Sequence, residues 1–229
     1  EIRLSLVGSE MCIRDSMICA HMNAEATSVR YDAMGSDLLA TGGTDSLVKV
    51  WDVGTGTVRA TLRGSPGHTV MGVDMCGNLV VGASSDKTCR VWNMRTERMI
   101  HHLVGHAHKV TCVRFFDDGH AVVTGSADRS LKVWDIRART YRQTVTLRHS
   151  SISNCVDTAS NGVDIVSGHH DGGLRFWDAR SGDRTMDIPG RCKTAVMLWP
   201  WHCFVASCRD SSSSSFPYFL VTQGCTEIP

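Results

Sequence analysis

Histidine is the first place to look for chemistry in this chain. Eleven histidines occur, and three clusters stand out: His101-His102, His106-x-His108 and His169-His170. Paired imidazoles can ligate a metal, but a bound ion needs further ligands converging on the same point. His170 falls instead in a predicted tight turn. The ten cysteines form no Cys-x-x-Cys, and the nearest pair is Cys203 and Cys208. Cys89, Cys112 and Cys155 sit inside strand-like runs, where a free thiol acts as a small apolar residue. Reduced thiols are expected, rather than disulfides or zinc. No Gly-x-Ser-x-Gly elbow, phosphate loop, His-Glu-x-x-His helix or dinucleotide fingerprint occurs. The sequence therefore predicts no catalytic residue, no metal and no cofactor, hence not an enzyme.

What does recur is a phrase. A small-residue turn ends in Asp, and a β-like run ends in Trp six residues later. The copies are Thr41-Gly-Gly-Thr-Asp45 to Trp51, Gly82-Ala-Ser-Ser-Asp86 to Trp92, Thr124-Gly-Ser-Ala-Asp128 to Trp134 and Ser167-Gly-His-His-Asp171 to Trp177. A fixed period of about 40–45 residues with this ending marks a β-propeller blade. The predicted fold is all-β.

Each copy divides into four short strands, most clearly in the third. Lys109 to Phe116 alternates in strand style, and Asp117-Asp118-Gly119 makes a turn. His120 to Gly125 is the second strand and Ser130 to Trp134 the third, with an outer strand around Tyr141 to Leu147. Val48, Cys89, Leu131 and Leu174 share one column of the third strand; Val50, Val91, Val133 and Phe176 share another. Both fit packing between blades. Between them runs a basic column, Lys49, Arg90, Lys132 and Arg175. It is either a binding stripe or a set of aliphatic stems whose charges reach water.

These residues resemble the WD-repeat family. In that family the turn Asp, a Ser or Thr four residues before it, the Trp and a His ahead of the first strand share hydrogen bonds. The physics is sound, because a buried carboxylate needs donors and a buried indole N–H needs an acceptor. The resemblance implies a complete network of His106, Thr124, Asp128 and Trp134 in the third copy. It implies His21, Thr41, Asp45 and Trp51 in the first, and Ser167, Asp171 and Trp177 in the fourth, where His149 is out of register. The second copy keeps Asp86 and Trp92. Gly82 there replaces the hydroxyl, and Pro66 takes the expected His position. The turn before the third strand and the loop entering the first strand belong to one propeller face. Thr44, Ser85, Lys109, Ala127, His170 and Arg209 are the candidate partner-binding rim, set against the alternative of ordinary solvated loop residues.

A fifth copy begins at Val205 to Asp210 and loses its Trp. Phe216 stands there, within a serine-rich run, and no third strand is expected after it. Residues 1–19 carry no blade pattern and resemble translated adapter sequence; residues 211–229 read as an atypical, disordered or artefactual tail. Residues 20–210 are thus expected to hold four complete blades and the start of a fifth. Seven blades at this period would need roughly 290 residues, so a partial WD-repeat β-propeller from a larger protein is the expected architecture.

Leu38 to Asp45, Lys109 to Arg137 and Ser167 to Arg180 are similar to blades of the C-terminal propeller of the autophagy-related protein 16 family. Ser150-Ser-Ile-Ser-Asn154 replaces the usual Gly-His entry, as in that family. The resemblance implies a cytoplasmic, non-catalytic scaffold recruited to autophagosomal precursor membranes, with the autophagy conjugation machinery among its partners. The family binds that machinery through segments outside the propeller, so only a docking role carries over. The rival is a substrate receptor of a cullin-type ubiquitin ligase, which shares a Trp-Asp-x-Arg signature seen here at Arg137 and Arg180. A generic WD-repeat scaffold is the third reading.

Bulk properties agree with protein partners. The chain is 42% apolar and 21% charged, with a net charge of +1, so no strong electrostatic case exists for nucleic acid. No run approaches the ~18 apolar residues of a membrane helix. The best, Val196 to Cys208, contains Pro200 and His202. Membrane association is expected only through partners.

Overall fold

The computed structural model describes residues 21, 24–32, 34–116, 118–137, 140–159 and 162–189, together with the strand backbone at 2–3, 17–18, 194–198, 203–207 and 218–222. All regular elements among them are strands. A two-residue ladder comes first, pairing β1 (Ile2–Arg3) with β2 (Met17–Ile18).

Four antiparallel meanders follow. Blade 1 is β3 (Ala26–Tyr31), β4 (Leu38–Gly43), β5 (Leu47–Asp52) and β6 (Thr57–Arg63). Blade 2 is β7 (Val70–Cys76), β8 (Leu79–Ser84), β9 (Thr88–Asn93) and β10 (Arg98–Val104). Blade 3 is β11 (Val110–Phe116), β12 (Ala121–Ser126), β13 (Ser130–Asp135) and β14 (Arg142–Arg148). Blade 4 is β15 (Ser153–Thr158), β16 (Asp164–His169), β17 (Leu174–Asp178) and β18 (Arg184–Ile188). Each inner strand pairs with its second strand through a register shift after its first residue. This is the all-β, partial-propeller arrangement expected from the repeat.

The tail requires a correction. β19 (Thr194–Leu198), β20 (Cys203–Ser207) and β21 (Tyr218–Thr222) form a three-stranded antiparallel sheet, with Ser207 opposite Tyr218. A third strand therefore does follow the fifth copy. The Asp-to-Trp spacing misses it, but Tyr-Phe-Leu-Val-Thr is a run of strong β-formers.

The core lies between blades. The two aligned apolar columns are buried throughout: Val48, Val50, Cys89, Val91, Leu131, Val133, Leu174 and Phe176. Ala40, Val48 and Val50 of blade 1 pack with Val70, Val73 and Met75 on the inner strand of blade 2. Val81 and Val91 of blade 2 meet Val110, Val113 and Phe115 of blade 3. Val123 and Val133 of blade 3 meet Val156 and Ile165 of blade 4. Each fully buried aliphatic side chain contributes about 1.5–3 kcal/mol, so these seams, not the single sheets, hold the blades in place. At the matching positions of blade 1, Val29 and Tyr31 are 37% and 41% exposed.

Candidate functional site

The tight turn between second and third strands shows what the Asp does in every blade. Its Oδ1 accepts the backbone N–H two residues on: Leu47 N to Asp45 at 3.1 Å, Thr88 N to Asp86 at 2.9 Å, Ser130 N to Asp128 at 3.0 Å and Gly173 N to Asp171 at 3.0 Å. The intervening residue takes a left-handed backbone, with φ of 67° at Ser46, 74° at Lys87, 65° at Arg129 and 84° at Gly172. The carboxylate compensates a turn that side chains other than glycine adopt reluctantly.

Beyond that shared role the blades divide. In blade 3, His106 Nδ1 lies 2.8 Å from Asp128 and its Nε2 lies 2.7 Å from Thr124 Oγ1. The Trp134 indole N–H donates to the same oxygen at 2.9 Å. With a neutral imidazole, Trp134 donates to Thr124, Thr124 to His106, and His106 to Asp128. Blade 1 repeats the chain, with His21 2.8 Å from Asp45 and 3.1 Å from Thr41, and Trp51 donating to Thr41 at 2.9 Å. Burial works to raise Asp128, but hydrogen bonds from Ser130, His106 and the Ala107 N–H outweigh it and hold the carboxyl at about 2. Burial also lowers His106, against the pull of Asp128.

Blades 2 and 4 solve the same problem with arginine. Asp86 pairs with Arg90 at 2.8 Å and accepts the Thr88 hydroxyl at 2.6 Å. Burial raises Asp86, but these donors bring it to about 2. Gly82 offers Trp92 no hydroxyl. In blade 4 the expectation that Asp171 joins the Ser167 and Trp177 network is corrected. Asp171 pairs with Arg175 at 2.6 Å, and its carboxylate is lowered by that partner against burial. Trp177 still donates to Ser167 at 2.8 Å, but the imidazole on Ser167 is His169, at 2.7 Å. His149 bonds Ser153 at 2.9 Å, with its ring centroid 4.3 Å from that of His169. Burial drives His149 down to about 4. It drives His169 to about 3, with repulsion from His149 and Arg175 added.

The basic column is thus neither a stripe nor a row of solvated stems. Arg90 and Arg175 turn back to their own Asp. Lys49 and Lys132 lie 5.9 Å above the Trp51 and Trp134 rings. The blades with a His relay carry Lys; the blades without carry Arg.

A second charged array was not singled out from the sequence. The fifth residues of the four inner strands are Arg30, Asp74, Arg114 and Asp157. Arg114 sits 3.3 Å from Asp74 and 3.1 Å from Asp157, and Asp74 also accepts the Phe115 N–H at 2.7 Å. Burial holds Asp74 above the ordinary carboxylate value despite Arg114. Burial likewise lowers Arg30, with help from Arg114. The alternation of sign at one strand position was available in the sequence, but its meaning needs adjacent blades in register.

The rim residues lie at the Asp-bearing end of the blades. Thr44, Lys109 and His170 are exposed, while Ser85 and Ala127 are half-buried. The turns are tied to the entering loops: Glu25 N donates to Thr44 at 3.0 Å, Thr69 N to Ser85 at 3.0 Å, and Ala127 N to the Lys109 carbonyl at 3.0 Å. Arg209 lies outside the described residues. The adaptor candidates lie at the opposite end. Arg137 folds onto its own Asp135 at 2.6 Å, and the Arg180 N–H donates to Asp178 at 2.7 Å. Among the described residues no three His, Cys, Asp or Glu side chains converge as a metal site.

Comparison with known proteins places this geometry. Residues 15–52, 56–93, 97–135 and 141–178 match the WD40 family, the WD domain, G-beta repeat. Transducin beta-like protein 3 of Rattus norvegicus is 32% identical over 130 residues, 56% of this chain and 16% of that protein. Autophagic-related protein 16.2 of Caenorhabditis elegans is 34% identical over 94 residues, covering 39% and 18%. Autophagy-related protein 16 of Arabidopsis thaliana is 39% identical over 79 residues, covering 34% and 16%. The chain spans less than a fifth of the length of these relatives.

Proposed function

This chain belongs to the WD domain, G-beta repeat family, and from that premise we propose that it is a docking scaffold acting in autophagosome assembly. Blades of this family serve protein–protein interaction. The observation that carries a docking face is the coincidence of the left-handed turns, each braced by its Asp, with the exposed side chains of Thr44, Lys109 and His170 at one end of the sheets. A rigid turn holds a side chain for a partner at low entropic cost. The autophagy assignment is supported by the two relatives named autophagy-related protein 16 and by the short entry at Ser150 to Asn154. The protein would act in the cytoplasm and reach autophagosomal precursor membranes through partners that include the conjugation machinery. No helix among the described residues is long and apolar enough to cross a membrane.

The test is recruitment. The chain, fused to a fluorescent protein, is expressed in starved cells beside a marker of autophagosomal precursors. Co-localisation is expected for the parent and loss of it for Lys109→Glu combined with His170→Glu, at an unchanged melting temperature. A diffuse parent chain overturns the autophagy assignment. Undiminished recruitment of the double variant overturns the rim.

A further inference from the structure

At the end of the blades away from the Asp turns, a cleft of about 950 Å³ opens between blades 1 and 2. One wall is made by Asp32, Met34, Ser36 and Asp37, between β3 and β4. The other is the turn at Met94 to Glu97 between β9 and β10. The first wall is longer than its counterpart in blade 2, where only Gly77 and Asn78 join the two strands. It is also held in place. Buried Asp32 accepts Met34 N at 3.2 Å, Ser36 Oγ at 2.5 Å and, across the seam, Gly77 N at 2.9 Å. The second wall is pinned through Arg95 Nε to Asn78 Oδ1 at 2.9 Å.

The lining is mixed in a particular way. Leu38 and Met94 are half-buried in it, and Met34 stands 69% exposed at its edge. A methionine in that position offers a flexible, polarizable contact suited to a variable apolar partner. Four carboxylates line the cleft against two guanidiniums, leaving two negative charges in excess. Asp32 is consumed by its three donors and Asp52 by the Thr55 N–H at 2.9 Å. Asp37 is exposed, and only its backbone is engaged, accepting Val53 N at 2.8 Å.

We propose that this cleft is a docking groove for a short extended peptide segment carrying Lys or Arg next to an apolar residue. The volume is at the upper end of the ~300–1,000 Å³ of ligand sites, enough for several side chains and far more than an ion needs. The apolar residue meets Met34, Met94 and Leu38, and the cation meets Asp37. Hydrogen bonds to Asp32 already hold Met34, Ser36 and Gly77, so binding bears little of the cost of positioning them. The groove lies at the other end of the blades from the rim, so it goes beyond the docking face proposed above and stands or falls separately.

The experiment is a fluorescence-polarisation titration of the chain into labelled acetyl-Ala-Leu-Lys-Leu-Ala-amide, with the same peptide carrying Glu for Lys as the comparison. Saturable binding of the Lys peptide is expected, stronger at low salt. Affinity should fall about tenfold in Asp37→Lys, the change produced by one unfavourable charge contact of about 1.4 kcal/mol, and severalfold in Met34→Ser. Both side chains are exposed, and equal melting temperatures check that the variants fold. Lys109→Glu with His170→Glu should bind as the parent does. Absence of saturable binding, equal binding of the Glu peptide, or indifference to Asp37→Lys overturns the proposal.

Discussion

Blades 2 and 3 share strand lengths, turn geometry and the Asp-to-Trp spacing, yet they are held together differently. Blade 3 runs a relay of four side chains from the buried Trp134 out to Asp128. Blade 2 has a glycine at the centre of that relay and closes its turn with an ion pair, Asp86 to Arg90. Blades 1 and 4 fall on either side of the same divide. The property common to all four is the carboxylate bracing a left-handed turn. The imidazole and guanidinium are alternative second partners for it, and the identity of the third-strand cation goes with which one is present. A lysine beside a His relay lies over the indole; an arginine without one reaches back to the Asp.

The sharpest way to break the comparison is to remove the hydroxyl from a blade that has one. Thr124→Val keeps the shape but strips the donor from His106 and the acceptor from Trp134. Each orphaned buried group costs about 1–3 kcal/mol, so a loss of about 2–4 kcal/mol in urea-unfolding free energy is expected. Asp128→Ala should cost about 1–3 kcal/mol on the same ground. If Thr124→Val costs under about 0.5 kcal/mol, the relay has no energetic content and the two blade types are equivalent.

Acid should separate the blades next. A histidine whose folded pKa lies below its unfolded value binds fewer protons folded than unfolded between the two values. Its contribution is complete above about pH 6.5 and is lost as the pH falls towards about 4 at His149 and about 3 at His169. His106 acts in the same direction. Asp128, depressed to about 2, acts in the same direction but in a lower window, giving up its contribution only as the pH falls below its ordinary value of 3.8. Blade 4, with a buried and a half-buried imidazole in ring contact, should therefore weaken first. At about 1.4 kcal/mol per pKa unit, the two units between 6.5 and 4.5 bound the loss at about 3 kcal/mol per imidazole, and solvent screening brings the expected total between pH 7 and pH 4.5 to about 2 kcal/mol. Urea unfolding at the two pH values measures it, and His149→Gln should flatten the dependence. An unflattened dependence would place the sensitivity elsewhere.

How much of this was legible in advance follows from reach along the chain. The Asp-to-Trp interval is local: the turn and the third strand fix it within one hairpin, so the four blades could be counted and Thr41, Thr124 and Ser167 placed. The imidazole comes from a loop of variable length. His21 and His106 could still be assigned, but His149 is out of register, and His169, which supplies the ring in blade 4, stands in the sequence only as one of a histidine pair. Lys and Arg in one column read alike, because whether a cation finds an Asp or an indole is decided in three dimensions. Arg30, Asp74, Arg114 and Asp157 were equally visible as letters, but their pairing crosses between blades. Tyr218–Thr222 carries no tryptophan, so the Asp-to-Trp interval does not mark it.

Restoring the hydroxyl to blade 2 is a subtler test, and the packing argues against rescue. A Cβ at Gly82 would stand 3.0 Å from Trp92 Cζ3, 3.2 Å from Cη2 and 3.3 Å from Val48 Cγ2. Gly82→Ser must push a buried indole or a fully buried valine from its place. Overpacking of this kind costs about 1–3 kcal/mol, while a new hydrogen bond returns about 1 kcal/mol. The net expectation is a loss of about 1 kcal/mol in thermal or urea unfolding. A gain would show that Trp92 has room to move, and that blade 2 differs from blade 3 by one absent atom rather than by its packing.

The smallest effect expected comes from exchanging the cations. Arg90→Lys replaces a planar fork, 2.8 Å from Asp86, with a single ammonium that must also leave its aliphatic stem in place. Lys132→Arg puts a guanidinium where Lys132 now lies over Trp134 and donates to Gln143 at 2.8 Å. In blade 2 the exchange weakens the cationic partner that the turn carboxylate has among the described residues. In blade 3 His106 already occupies that carboxylate, and the guanidinium retains the ring face. Arg90→Lys should therefore cost about 0.5–1 kcal/mol, the difference between a strong and a weak ion pair at a partly exposed site, and Lys132→Arg less than about 0.5 kcal/mol. The measurement is paired urea unfolding of the two variants. Equal losses would mean that the column answers to burial alone and that the link between His relay and lysine is coincidental.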